Sequence, residues 1–189
     1  MTNNGKLFLW GLGAVAVYYL YQNNGDVSTA ASNAVSDVQS AVLGWKNAGS
    51  GPVWVPILNQ AEGTYGLPQD MLAALAYQES SFIENVIRGL HPSTAGALGM
   101  MQLMPEWYST LVGPSGAIVP YQDSDVQNQI NAAAQTLVAN FNATDSWPLA
   151  IAAYNAGLSA VQNADGIPNN GQTPAYVAGI LANAPAANV

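Results

Sequence analysis

From Pro52 onward, apolar residues recur at helical spacing and each run ends at Gly or Pro, while no stretch alternates convincingly as a half-buried strand must. The fold class is therefore mainly α. Val53 to Tyr65 makes one helical segment, closed by Gly66. Pro68 suits the first position of the next, because a helix start leaves that N–H unpaired anyway, and Asp70 complements the positive end of the dipole. A longer helix follows Asp123 and Ser124 and is expected to bury Val126, Ile130, Ala133, Leu137 and Phe141 along one stripe. Ser146 is placed to cap a further helix from Trp147 to about Ala156, stopped by Gly157.

Ahead of these helices, Leu7 to Tyr21 is an uncharged apolar run, preceded by Lys6 and ending in tyrosines suited to a membrane interface. It reads as a single transmembrane helix. Fifteen helical residues span roughly 22 Å against a hydrocarbon core of roughly 30 Å, so flanking residues or bilayer thinning must supply the rest. The rival reading is a removable signal peptide, with Ser28-Thr29-Ala30 as a distant cleavage site, and a buried soluble helix stands behind both. With Lys6 the only early positive charge, the N-terminus is expected in the cytoplasm and everything after Tyr21 outside it, facing the periplasm or carried in a virion membrane. Residues 1–22 are thus an expected anchor and 23–51 an Asn-, Ser-, Ala- and Gly-rich linker. Residues 52–183 make one domain and 184–189 a frayed tail.

Composition removes several classes of function. Only Lys6, Lys46 and Arg88 are basic and the formal net charge is -8, so no surface can neutralise phosphates and nucleic acid is not an expected partner. The chain has no cysteine, which excludes disulfides, thiolate nucleophiles and the usual zinc sites. Its single histidine, His91, makes a metal centre or a Ser/His relay improbable. No cofactor is called for.

One carboxyl stands out. On the helix expected from Pro68, Met71, Leu75 and Phe82 mark the inward stripe, and Glu79 follows Leu75 by four residues. Burial against apolar neighbours disfavours the charged form, so such a carboxyl holds its proton near neutral pH and can donate it to a leaving oxygen. The alternative is a Glu at a fraying helix end, turned to solvent. Periodicity alone does not decide between them.

The surrounding motifs do. Glu79-Ser80-Ser81-Phe82 resembles the ES-x-F motif of the soluble lytic transglycosylase (SLT) family, whose fold is like that of goose-type lysozymes. Gly99 to Pro105 (GMMQLMP) resembles its GLMQ-[IL]-MP motif, and Ser93 to Ala97 its S-x-x-GA stretch. Ala153 to Gly157 resembles AYNAG, and Thr173 to Val177 the closing T-x-x-YV. The motifs keep the family's order and cover Pro52 to about Ala182. Met100 departs from the usual Leu, and Gln172 stands where many members carry Glu.

The resemblance implies a lysozyme-like transglycosylase domain, with Glu79 catalytic and with Ser93, Gln102, Met104, Tyr154, Asn155 and Tyr176 at the glycan. The phenol of Tyr154 is expected to reach the Glu79 carboxyl, and Tyr176 to lie near it. Read individually, Tyr154 is also an ordinary amphipathic core residue, Met101 and Met104 a soft core wall, and Ser93 a loop serine. Glycosidases ordinarily use two carboxyls, and here Glu84 falls about 140° further round the helix, which leaves one. The implied route is substrate-assisted cleavage between N-acetylmuramic acid and N-acetylglucosamine of peptidoglycan, closing a 1,6-anhydro ring. The alternatives are a true lysozyme that uses water, and an inactive glycan-binding protein of the same fold. A minimal module behind one anchor resembles wall-opening enzymes of phage virions, or of secretion and conjugation machines, whose other proteins would be its partners.

Overall fold

The structure, a computed structural model, describes residues 44–104, 110–112, 118–120 and 126–188, and the described residues from Trp45 onward form one compact unit. The anchor expected over 7–21 lies outside the described residues, as do Glu106, Asp123 and Asp125. No helix among the described residues is long and apolar enough to cross a membrane.

Seven helices are described: α1 (Gly51–Tyr65), α2 (Met71–Ser80), α3 (Glu84–Ile87), α4 (Val126–Thr144), α5 (Trp147–Ala156), α6 (Leu158–Ala164) and α7 (Thr173–Asn183). A mainly α class is what the spacing predicts. The strands β1 (Thr110–Val112) and β2 (Ile118–Pro120), paired antiparallel with Leu111 opposite Val119, correct the expectation of no strand at all. Three-residue strands are too short to establish an alternating pattern.

Helix α2 lies at the centre, packed against α1 and α7. Met71, Leu72, Ala73, Leu75 and Ala76 are 0% exposed, so it is buried on every side rather than along one stripe. Helix α4 packs on α5 and α1, and α5 on α6 and α7. The buried alanines Ala132, Ala133, Ala134, Ala150, Ala152 and Ala153 let these axes approach closely. Ile130, Ala133 and Leu137 are fully buried as the stripe predicts, whereas Phe141 is half-buried and stacks on Trp147 at 4.0 Å.

Local signals locate three helix ends well. Gly66 closes α1 in the left-handed conformation at φ 68°, Ser146 caps α5 by accepting the Leu149 N–H, and Gly157 ends α5. Helix α2, in contrast, begins at Met71 and not at Pro68. Asp70 precedes it with φ 64° and makes no side-chain cap, its carboxylate pairing instead with Lys46 at 2.6 Å.

Two packed segments lie where the sequence reads as linker and tail. Trp45 is 5% exposed, its ring 5.8 Å from that of Tyr77 and 6.4 Å from that of Phe82. The compact unit therefore starts before Pro52. At the other end Pro185–Ala187 forms a 3-10 turn, and Ala184 and Ala187 are fully buried. Residues 184–187 are thus docked rather than frayed, held by small methyl groups that carry no periodic signal.

Candidate active site

The helix that carries Glu79 is fixed at its start by another carboxyl. Glu62 of α1 is 3% exposed and accepts the backbone N–H groups of Asp70, Leu72 and Ala73 at 2.8, 2.8 and 3.1 Å. These are donors that a helix start leaves unpaired, so the cap of α2 comes from a neighbouring helix rather than from its own sequence. Burial pushes the Glu62 carboxyl up to about 7, although the three N–H groups pull it down.

At the far end of α2, Glu79 occupies the last turn and is half-buried. Ser81 and Phe82 follow with φ 49° and 53°, so the helix cannot continue and Phe82 turns back into the core, 0% exposed. Tyr176 of α7, 6% exposed, donates its hydroxyl to Glu79 Oε1 at 2.5 Å. Burial pushes the Glu79 carboxyl up to about 7 from its ordinary 4.5, and the Tyr176 hydrogen bond pulls against it. The Tyr176 phenol is held well above its ordinary 10 by burial, by the facing Glu79 carboxyl and by the neighbouring Tyr154.

Neither described candidate for a second carboxyl accompanies Glu79. Glu62 is bound at the opposite end of α2. Glu84 begins α3, is exposed, and pairs with Arg88 at 2.7 Å, which holds it below the ordinary carboxylate range.

Beside this pair lies a groove of about 600 Å³, bounded by the loop carrying Ala95, by Gln102 and Met104, by Thr136 and Asn140 of α4, and by Tyr154 to Gly157 at the end of α5. Its wall is a tight turn. Leu98 and Leu103 exchange both backbone hydrogen bonds, at 2.9 and 3.1 Å. Between them Gly99 takes φ 77° and Gln102 φ 46°, the latter folding its amide Nε2 onto the Gly99 carbonyl at 2.9 Å. The turn is pinned from α4 by Gln129, 0% exposed, whose Oε1 accepts the Met100 N–H at 2.7 Å. Any Cβ on Gly99 would lie 2.0 Å from that same oxygen, so only glycine fits. Met100 and Met101 are fully buried.

Of the residues expected at the site, Gln102, Met104, Tyr154 and Asn155 come together along the groove, and Tyr176 meets Glu79. Tyr154 takes a different partner from the one expected. Its hydroxyl donates to the Met101 carbonyl at 2.8 Å, bracing the turn, so Tyr176 is the phenol that holds Glu79. Asn155 accepts from the Thr173 hydroxyl at 2.8 Å, tying the end of α5 to the start of α7. Ser93 is not among the residues lining the groove; its Oγ accepts the Ala97 N–H at 3.0 Å within its own loop. Glu62, Gln129 and Thr173 were not singled out by sequence. Glu62 follows the core residue Leu58 by one turn, the one signal that marked it as buried.

No solved structure gives a significant match to the chain. The transglycosylase SLT domain matches residues 56–177, which are 122 of the 189, and so encloses Glu79, the turn at Gly99, the groove residues of α5 and Tyr176. The chain belongs to the transglycosylase SLT domain family.

Proposed function

We propose that this protein is a peptidoglycan lytic transglycosylase in which Glu79 acts first as acid and then as base. The observation that carries the reading is a half-buried carboxyl, raised to about 7, with one oxygen held by Tyr176. Near neutral pH such a group is divided between its two forms, so it can both give and recover a proton. The fixed Oε1 leaves the other oxygen to carry the proton.

In the proposed reaction Glu79 protonates the oxygen joining N-acetylmuramic acid to N-acetylglucosamine as the bond from that oxygen to the muramic C1 breaks. The acetamido oxygen of the same muramic residue stabilises C1, a substrate-assisted route that needs only one enzyme carboxyl. The Glu79 carboxylate, stabilised by the Tyr176 hydroxyl, then takes the proton of the muramic 6-hydroxyl while O6 bonds to C1 and the acetamido group is released. A 1,6-anhydro ring results and no water is consumed. Gln102, Met104, Tyr154 and Asn155 hold the strand in the groove, and Ser93 contacts it from the loop edge.

The mass of the product chain ends tests this against hydrolysis. Ends lighter by one water support the lyase reaction, whereas reducing ends of full mass would establish a lysozyme. Failure of the intact protein to clear purified cell wall would leave a glycan-binding protein. With an anchor over residues 7–21, the domain is proposed to work outside the cytoplasm, opening the wall locally for a phage virion or a secretion machine.

A further inference from the structure

Helices α1 and α4 enclose a second cavity, about 350 Å³, which shares no lining residue with the groove. That volume lies within the range of small-ligand sites, roughly 300–1,000 Å³. Tyr65 and Gln60 line it from α1, Gln127 and Asn131 from α4, and none of these side chains is ionised at neutral pH. A charged ligand finds no counter-charge among them. Asn131 is the informative member. It is only 9% exposed, and its Oδ1 accepts from Gln127 Nε2 at 3.2 Å, but its amide nitrogen donates to no acceptor among the described residues. Buried amide donors are normally paired, so this one requires an acceptor from within the cavity. The Tyr65 hydroxyl is held by Gln135 Nε2 at 3.4 Å, which fixes the ring at the cavity wall.

An aromatic ring, flanking amides and an unspent buried donor make up the chemistry that recognises a neutral sugar: the ring takes the apolar face, the amides take hydroxyls, and the donor takes a carbonyl. We propose that this cavity is an accessory saccharide site, which takes an acetamido sugar of a glycan strand through the Asn131 amide and the Tyr65 ring. The inference rests on the peptidoglycan reading for its polymer. Helix α4 carries both sites, with Asn131 in the accessory cavity and Asn140 in the groove, about 14 Å apart along the axis. Binding at one therefore keeps the other close to the wall without reaching Glu79.

The test uses the full chain carrying Glu79→Gln, so that polymer is bound and not cut, with and without Thr64→Trp or Asn131→Leu. Thr64 is an exposed residue lining the cavity, and a Trp there blocks access while leaving every buried group in place. Co-sedimentation with purified sacculi and titration with N-acetylglucosamine tetramer are the readouts. Either substitution is expected to weaken sacculus binding about tenfold, the effect of one lost contact, and to remove one of two tetramer sites. In the Glu79 enzyme the same substitutions leave turnover of a short soluble glycan unchanged. Unaltered sacculus binding by folded Thr64→Trp overturns the proposal even if Asn131→Leu does not fold, as does a single tetramer site in its parent. Loss of one of two tetramer sites in a protein that cuts no wall supports this site while removing the enzymatic reading.

Discussion

The Tyr176 hydroxyl reaches Glu79 Oε1 at 2.5 Å, joining the first turn of α7 to the last turn of α2. The contact favours the carboxylate, while burial favours the acid, and the balance places the group at about 7. The two residues are 97 positions apart, so the tuning of the acid depends on how α7 docks.

Tyr176→Phe removes the one influence that lowers the Glu79 value. The carboxyl then titrates at higher pH, and the alkaline limb of kcat/KM shifts upward relative to the wild type. Turnover at the optimum falls about 10- to 100-fold, because the carboxylate formed after proton transfer loses a charge-assisted hydrogen bond. Wall-clearing rates from pH 5 to pH 9 measure both effects; an unmoved limb would contradict the assignment.

Stability should also depend on pH. Glu79 titrates at about 7 in the fold against an ordinary 4.5, so the folded state binds the proton more tightly. The stabilisation from that protonation is fully present below 4.5 and is lost as pH rises through 7. Glu62, raised to about 7 as well, acts in the same direction. The melting temperature therefore falls across this window, and Glu79→Gln flattens part of the slope, as thermal melts at several pH values would record.

Glu62→Ala strips the acceptor from three N–H groups at the head of the catalytic helix. Each buried donor left unpaired costs about 1–3 kcal/mol, so the total loss is roughly 3 kcal/mol or more. Urea unfolding measures it. A loss within about 0.5 kcal/mol, the size expected of a surface substitution, would show that the cap contributes little.

Gly99→Ala places a methyl against the Gln129 side chain in a left-handed conformation that alanine disfavours. A loss of about 1–3 kcal/mol is expected, together with a raised KM, because Gln102 and Met104 ride on the same turn. Gln129→Ala in the same background relieves the clash but not the backbone strain, and is expected to restore only part of the loss.

What the sequence made legible follows from how local each cause is. Gly66, Ser146 and Gly157 act on their own turns, and they mark helix ends correctly. The start of α2 was misplaced at Pro68 because its cap, Glu62, arrives from another helix. Trp45 and Ala187 are buried by partners distant in sequence, and neither carries a periodic signal. At the site, motif order was enough to gather Gln102, Met104, Tyr154 and Asn155 along one groove. It did not fix which phenol touches the acid, because Tyr154 and Tyr176 offer the same chemistry and only packing separates them.

The central claim is that proton transfer by the Glu79 carboxyl cuts the glycan. The most direct measurement is the rate at which Glu79→Gln releases soluble fragments from purified cell wall, alongside its melting curve. A folded protein whose rate has dropped about 10²- to 10⁴-fold is the predicted result, since the amide keeps the shape and the Tyr176 hydrogen bond but cannot donate an acidic proton. A folded Glu79→Gln protein that releases fragments at the wild-type rate would contradict it.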